Sequence, residues 1–283
     1  MKFKGTKKYV STEDLSMAVN ASVTLERPLL IKGEPGTGKT LLAIEVAESL
    51  GKRLIEWHIK STTKATQGLY EYDAVTRLRD SQLGDERVKD INNYINKGKL
   101  WEAFEADEQV VLLIDEIDKA PREFPNDLLY ALSHRKFVMP ESGEVIEVSE
   151  EDMPAIVITS NREQELPTAF KGRCIYHYIQ FPEADKMRDI IAKHHPKVSN
   201  KIVDTALDIF YQLRKIGLER APTTRELLNW LKYVKTFSSK EALDKLNALD
   251  GLGTLIKTQA DYEKVQRQLA LSGGKPPMGS SLN

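Results

Sequence analysis

Hydrophobic residues follow two rhythms along this chain. Between about residues 28 and 181, short unbroken apolar runs recur: Pro28-Leu29-Leu30-Ile31, Val110-Val111-Leu112-Leu113-Ile114, Ala155-Ile156-Val157-Ile158, and a mixed run from Cys174 to Phe181. Runs of this length predict strands buried on both faces of a parallel sheet. Arg53 to Lys60 adds a strand in which polar and apolar residues alternate only in part. Leu41 to Leu50, stopped by Gly51, and Phe124 to Ser133 have helical spacing instead. From Glu183 onward the strands cease. Helices are expected at about 184–195, 199–216, 223–236 and 238–249, with one more within 251–269. The fold class is therefore α/β, a parallel sheet flanked by helices and followed by a smaller all-helical domain. The domain boundaries fall at 1–182 and 183–270, and 271–283 has the Gly, Ser and Pro composition of a flexible tail.

Three stretches depart from this alternation. At the start, Ser11-Thr12-Glu13-Asp14 has the form of a helix cap, with Ser11 as the cap and Asp14 three residues on. That helix is expected to reach Leu25 and to bury Leu15, Ala18, Val19 and Val23. Residues 62–108 are long for a connection between adjacent strands. Ser61-Thr62-Thr63 could open a helix, Gly68-Leu69-Tyr70-Glu71-Tyr72 interrupts it, and helical spacing returns at Val75, Leu78 and Leu83 and again from Ile91 to Phe104. The segment predicts a helix carrying an insertion. Residues 135–148 predict a hairpin that turns at Glu141-Ser142-Gly143.

The candidate chemistry lies at the ends of the apolar runs. Gly33-Glu34-Pro35-Gly36-Thr37-Gly38-Lys39-Thr40 follows the first run and precedes a helix that begins near Leu41. Gly, four residues, then Gly-Lys-Thr is the P-loop pattern, here between a strand and a helix as the chemistry requires. Gly36 and Gly38 allow a backbone that wraps phosphate oxygens. The loop amides and the helix N-terminus, Leu41 included, face the anion. Lys39 supplies a charge to the β- and γ-phosphates, and Thr40 a hydroxyl ligand for Mg²⁺. The run that ends at Ile114 is followed by Asp115 and Glu116, at the strand end that faces the ligand crevice of an α/β sheet. Asp115 can hold Mg²⁺ through a water, and Glu116 can polarise an attacking nucleophile. An acidic helix cap after a core strand would look the same in isolation.

Composition narrows the function. Lys and Arg number 41 against 42 Asp and Glu, so bulk charge gives no argument for nucleic-acid binding. No apolar run approaches the length of a membrane span, and the first eight residues lack the apolar core of a signal peptide. One cysteine, Cys174, excludes an intramolecular disulfide and a cysteine-based zinc site, and a reducing cytoplasm is the simplest setting. A buried strand position explains Cys174 better than catalysis does. The adjacent His194 and His195 are expected on a solvated surface.

In order, the chain presents a P-loop, an interrupted second helix, an Asp-Glu strand, a hairpin, a strand ending in Ile158-Thr159-Ser160-Asn161, an arginine-bearing stretch Leu166 to Arg173, and helices. This resembles the AAA+ ATPases, and within them the MoxR branch, over about residues 10–250. The resemblance implies an AAA+ core with a helical lid, and Mg·ATP between them. It implies a sensor role for Asn161, an intersubunit arginine finger for Arg173 and a second sensor for Arg225 at the start of a lid helix. Each has a plainer explanation: a turn asparagine, a surface arginine, a solvated helix residue. Arg162 could compete with Arg173, and Lys171-Gly172 departs from the acidic residue often found before the finger. The branch typically forms rings, often hexamers, works with von Willebrand factor A-domain proteins and remodels enzyme complexes.

Other function classes remain open at this point. A small-molecule kinase would use a P-loop, but Glu116 suits activation of water. A nucleic-acid motor or GTPase of a restriction-type complex is the main alternative, although the chain lacks an Asn-Lys-x-Asp guanine motif. A scaffold that only binds nucleotide would not need the hydrolytic residues.

Overall fold

A computed structural model describes residues 3–149, 151–161 and 164–271. Regular structure begins with α1 (Glu13–Leu25). Thr12 caps it, its hydroxyl accepting from the N–H of Leu15. Ser11, the expected cap, instead donates to the carbonyl of Thr12 at 3.1 Å. Leu15 and Val19 are buried, whereas Ala18 and Val23 are only half-buried. The apolar runs become strands: β1 (Leu29–Gly33), β2 (Leu54–His58), β5 (Val111–Asp115), β8 (Ala155–Ser160) and β9 (Ile175–Ile179). Helix α2 (Lys39–Leu50) joins β1 to β2 and ends at Gly51, whose left-handed backbone closes the last turn.

These five strands form one sheet in the order β2-β5-β8-β1-β9, every pair parallel. Interior β5 is buried at all five positions, as its unbroken apolar sequence requires. The strand at 174–181 is shorter than expected. Cys174 stands before it, half-buried, with its thiol donating to the carbonyl of Phe170 and pushed up to about 12 by burial.

The segment between β2 and β5 contains α3 (Ala65–Leu69), β3 (Tyr70–Tyr72), α4 (Ala74–Gln82), β4 (Ile95–Lys97) and α5 (Lys99–Phe104). Strands β3 and β4 pair antiparallel, so a small ribbon separates α3 from α5. The helix does not open at Ser61–Thr63. The Thr63 hydroxyl there accepts from the N–H of Lys60, which makes a turn ahead of α3. Gly68 lies flat against the Trp57 indole, whose nearest atom stands 2.1 Å from where a β-carbon would be. Helix α4 is real, but Val75, Leu78 and Leu83 are exposed at 81, 63 and 76%. Helix α6 (Phe124–His134) leads into the hairpin β6 (Lys136–Val138) and β7 (Val145–Glu147), which pair antiparallel. Phe137 of this hairpin packs against Trp101, Phe104 and Tyr70. The Tyr70 hydroxyl donates to Glu141 at 2.5 Å, and burial, followed by that carboxylate, pushes its pKa up to about 12. Short α7 (Thr168–Lys171) precedes β9.

The remaining elements are α8 (Ala184–His194), α9 (Asn200–Lys215), α10 (Thr224–Val234), α11 (Ser239–Asn247) and α12 (Gln259–Leu271). Two compact units result: residues 3–6, 11–34 and 38–179, and residues 7–10, 35–37 and 180–271. The second has its own core, centred on Phe210, Leu227, Trp230 and Leu231. Thr223 and Glu226 form a reciprocal capping box that starts α10. His195 is not a solvated surface residue. It is half-buried, and its Nε2 lies 2.9 Å from the carbonyl of Leu228, while His194 is exposed.

Candidate nucleotide site

The parallel strands β1, β5 and β8 all end on one edge of the sheet, and each delivers a polar side chain or loop there. From β1 the chain passes through Gly33 and Glu34 to Gly36 and Gly38, whose φ values of 77° and 86° lie in the left-handed region. Gly38 is the N-cap of α2, and no side chain caps that helix. Its first amides are therefore left for an anion, with the helix dipole favouring negative charge. Lys39 is 7% exposed, and its Nζ donates to the carbonyls of Gly33 and Glu34, each at 2.9 Å. Burial pulls the Lys39 pKa below its usual range, and the carboxylates of Asp118, Asp115, Glu116 and Glu34 act against that fall. Glu34, Pro35, Thr37 and Leu41 complete the loop expected from the sequence.

Thr40, one residue into α2, donates from its hydroxyl to Asp115 at 3.1 Å (Oδ1), with Oδ2 at 3.3 Å. Asp115 is the last residue of β5 and is 7% exposed. A hydroxyl and a carboxylate side by side at a phosphate-binding loop are the oxygen donors that Mg²⁺ takes when phosphates complete its shell. Among the described residues no cluster of three or more His, Cys, Asp or Glu could hold a metal by itself. The donor set thus fits Mg²⁺ brought with a nucleotide better than a resident ion.

Glu116 follows with a left-handed φ of 60°. Its carboxylate pairs with the Lys119 ammonium, and its Oε1 lies 3.4 Å from the Asn161 side-chain amide. Asn161, directly after β8, is 8% exposed. Arg173 lies between α7 and β9, exposed, and donates to the carbonyl of Ala169 at 3.0 Å. Arg225 is exposed on the first turn of α10. The structure thus gathers Lys39, Thr40, Asp115, Glu116 and Asn161 at one edge of the sheet, while the Arg173 guanidinium bonds the carbonyl of Ala169 instead and Arg225 belongs to the helical unit. Arg162 lies outside the described residues.

Three residues at this edge were passed over in the sequence. Thr159 of β8 bonds both Asp115 and the Glu116 backbone, and Asp118 accepts from the Asn161 backbone. His58, the last residue of β2 and in register with Asp115, places Nδ1 3.3 Å from Asp115 Oδ2. Asp118 has a faint signal, as the second aspartate of Asp-Glu-Ile-Asp. The other two depend on strand register, which no local pattern carries.

A five-stranded parallel sheet, a P-loop at its central edge and an Asp-Glu pair at the end of a nearby strand define a P-loop ATPase domain of the AAA type. Residues 28–174 match the family described as AAA domain (dynein-related subfamily), and the chain belongs to that family. The family is one of ATP-hydrolysing enzymes. Membership implies nucleotide binding, typically with Mg²⁺, and such ATPases commonly form oligomeric rings. The chain is 24% identical to Lon protease 2 of Bacillus subtilis (strain 168) over 244 residues, which are 76% of this chain and 43% of that protein. It is 30% identical to midasin of Dictyostelium discoideum over 148 residues, 50% of this chain but only 2% of midasin. It therefore spans less than half the length of either relative. Among solved structures, a point mutant of Thermotoga maritima RuvB shares the fold at a TM-score of 0.57 and 14% identity, over 98% of this chain and 82% of that one. The Thermotoga maritima RuvB Holliday junction branch migration motor aligns at 0.54 and 14%, over 97% and 81%. Among the described residues no helix is long and apolar enough to cross a membrane.

Proposed function

We propose that this chain is a subunit of a ring-forming, Mg²⁺-dependent ATPase of the MoxR type, often hexameric, that remodels or assembles a protein target with a von Willebrand factor A-domain partner. The observation that carries the ATPase part is the convergence of Lys39, Thr40, Asp115, Glu116 and Asn161 at one sheet edge, with Asn161 Nδ2 3.4 Å from Glu116 Oε1. Lys39 leaves its two loop carbonyls to bind the β- and γ-phosphates of ATP. Thr40 and Asp115 are the residues that would hold Mg²⁺, which when bound neutralises charge across the phosphate oxygens. Glu116 takes the proton of the attacking water, and the Asn161 amide orients that water or touches the γ-phosphate. Arg173 serves the nucleotide of a neighbouring subunit, and Arg225 acts as a second phosphate-sensing arginine. Both assignments rest on chain position. The MoxR reading rests on the hairpin at 135–148 and the insertion between α3 and α5. A nucleic-acid motor gains nothing from the near-neutral charge.

The test is a mixing experiment. Glu116→Gln should bind ATP and stop hydrolysing it. Lys39→Ala, with a dead pocket and an intact finger, and Arg173→Ala, with a live pocket and no finger, should each be inactive alone. An arginine finger contributes about 10³–10⁵ in rate, so mixed rings should recover activity wherever a live pocket meets an intact Arg173. Co-assembly with no recovery would remove Arg173 from the trans role. A Glu116→Gln variant turning over at the parent rate would remove Glu116 as the base. Stimulation by DNA, with none by a von Willebrand A-domain protein, would favour the motor reading.

A further inference from the structure

The Asp-Glu pair and Asn161 are joined by two residues, Thr159 and Asp118, that have no role yet. Thr159 is fully buried on β8. Its hydroxyl donates to Asp115 Oδ1 at 2.6 Å and accepts from the Glu116 N–H at 2.8 Å. The one hydroxyl proton and one lone pair are thereby both committed. Asp118, 3% exposed, returns the link: its carboxylate accepts from the Asn161 N–H at 3.0 and 3.1 Å. Strand β8 thus lends a side chain to the turn after β5, and that turn lends a side chain to the end of β8.

The sheet does not need this clasp to close. Strands β5 and β8 are already paired from Val111↔Ala155 to Ile114↔Ile158. The clasp begins where that pairing stops, and it acts on the residues that would perform the reaction. Glu116 holds a left-handed φ of 60°, which a residue with a side chain seldom keeps unaided. Its N–H is fixed by Thr159. Asp115 is held by Thr159 on one side and Thr40 on the other, with the His58 imidazole 3.3 Å from Oδ2, so Thr159 is one of three neighbours that set its rotation.

We propose that Thr159 is a positioning residue, fixing through one hydroxyl both the Asp115 carboxylate at the Mg²⁺ end of the site and the Glu116 backbone, with Asp118 doing the same for Asn161. The proposal rests on the ATPase reading above. Loss of a partner that orients a metal-binding group typically costs about 10–100-fold in metal affinity or activity. Thr159→Val keeps the shape and removes the hydroxyl, so Asp115 Oδ1 and the Glu116 N–H lose a buried partner. Two quantities are measured: kcat for ATP, and the Mg²⁺ concentration for half-maximal binding of a fluorescent ATP analogue. Thr159→Val should lower kcat by about 10–100-fold and raise the Mg²⁺ requirement, with analogue affinity at saturating Mg²⁺ close to the parent value. Thr159→Ser should restore most of both. Equal losses in the serine and valine variants, in step with their melting temperatures, would mean that Thr159 is only a packing residue and would overturn the proposal. So would an unchanged kcat and Mg²⁺ requirement in Thr159→Val. If the valine variant does not fold, Asp118→Ala and Asp118→Asn carry the same contrast, because only the asparagine keeps an acceptor for the Asn161 N–H. A parent protein that binds the analogue but hydrolyses no ATP would defeat the ATPase reading alone. The Mg²⁺ titration would still decide whether Thr159 sets Asp115.

Discussion

Polar side chains are used in opposite ways at two places in the sheet-bearing unit. At the edge of β5 and β8 they are buried, and most answer a backbone group or one another at fixed geometry: Thr159, Asp118, Asp115. In the insertion between α3 and α5 a single buried carboxylate, Asp80, is ringed by exposed arginines. Arg79 and Arg87 reach it from side chains that are 64 and 60% exposed, and the Tyr94 hydroxyl completes the set. Those partners answer the charge of a buried carboxylate from exposed, flexible side chains, whereas bonds from a side chain to a backbone group fix where a neighbouring residue points. Apolar residues divide the same way. Strand β5 buries every position, while α4 turns Val75 and Leu78 outward and Leu83, just after it, is exposed as well. The edge is built for precision, and the insertion is built to be tolerant.

The largest expected break in that contrast comes from Leu113, which is fully buried in β5. Leu113→Ala should destabilise the chain by about 2–5 kcal/mol, the range for a buried leucine truncated to leave a cavity. Denaturant unfolding measures it, and a cost near zero would mean that β5 is not a core strand. A smaller effect is expected at the root of the insertion. In Gly68→Ala the new methyl group would meet the Trp57 ring, at about 1–3 kcal/mol for overpacking. A neutral result would show that α3 can lift from β2 without cost. The smallest effect belongs to α4. Leu78→Ser should stay within about 0.5 kcal/mol, as at other exposed sites. A loss as large as that of Leu113→Ala would show that something covers α4 in solution.

Those differences explain how far the sequence could be read. Unbroken apolar runs found the central strands of the main sheet because a strand buried on both faces has no other way to be written. The glycine pattern located the loop because Gly36 and Gly38 occupy conformations that other residues avoid. The spacing of Val75, Leu78 and Leu83 predicted a helix correctly and said nothing of what the helix faces. The cap moved from Ser11 to Thr12 because the Ser11 hydroxyl turns to the Thr12 carbonyl, and Thr12 accepts from the Leu15 N–H. Thr159 stayed hidden for a different reason. Its importance arises from lying beside Asp115 across paired strands, and register between distant strands is not a local property.

The strand order has a consequence in time. Strand β1, which carries the P-loop, pairs only with β8 and β9, whose residues follow well over a hundred positions later. On a ribosome adding about 5–20 residues per second, β1 would wait several seconds or more before either partner emerged. Contacts of such wide separation also slow folding once the chain is complete. The apolar Leu29-Leu30-Ile31 lacks its sheet partners throughout that interval. Whatever guards the nascent chain during synthesis must therefore protect the strand that later presents the phosphate-binding loop.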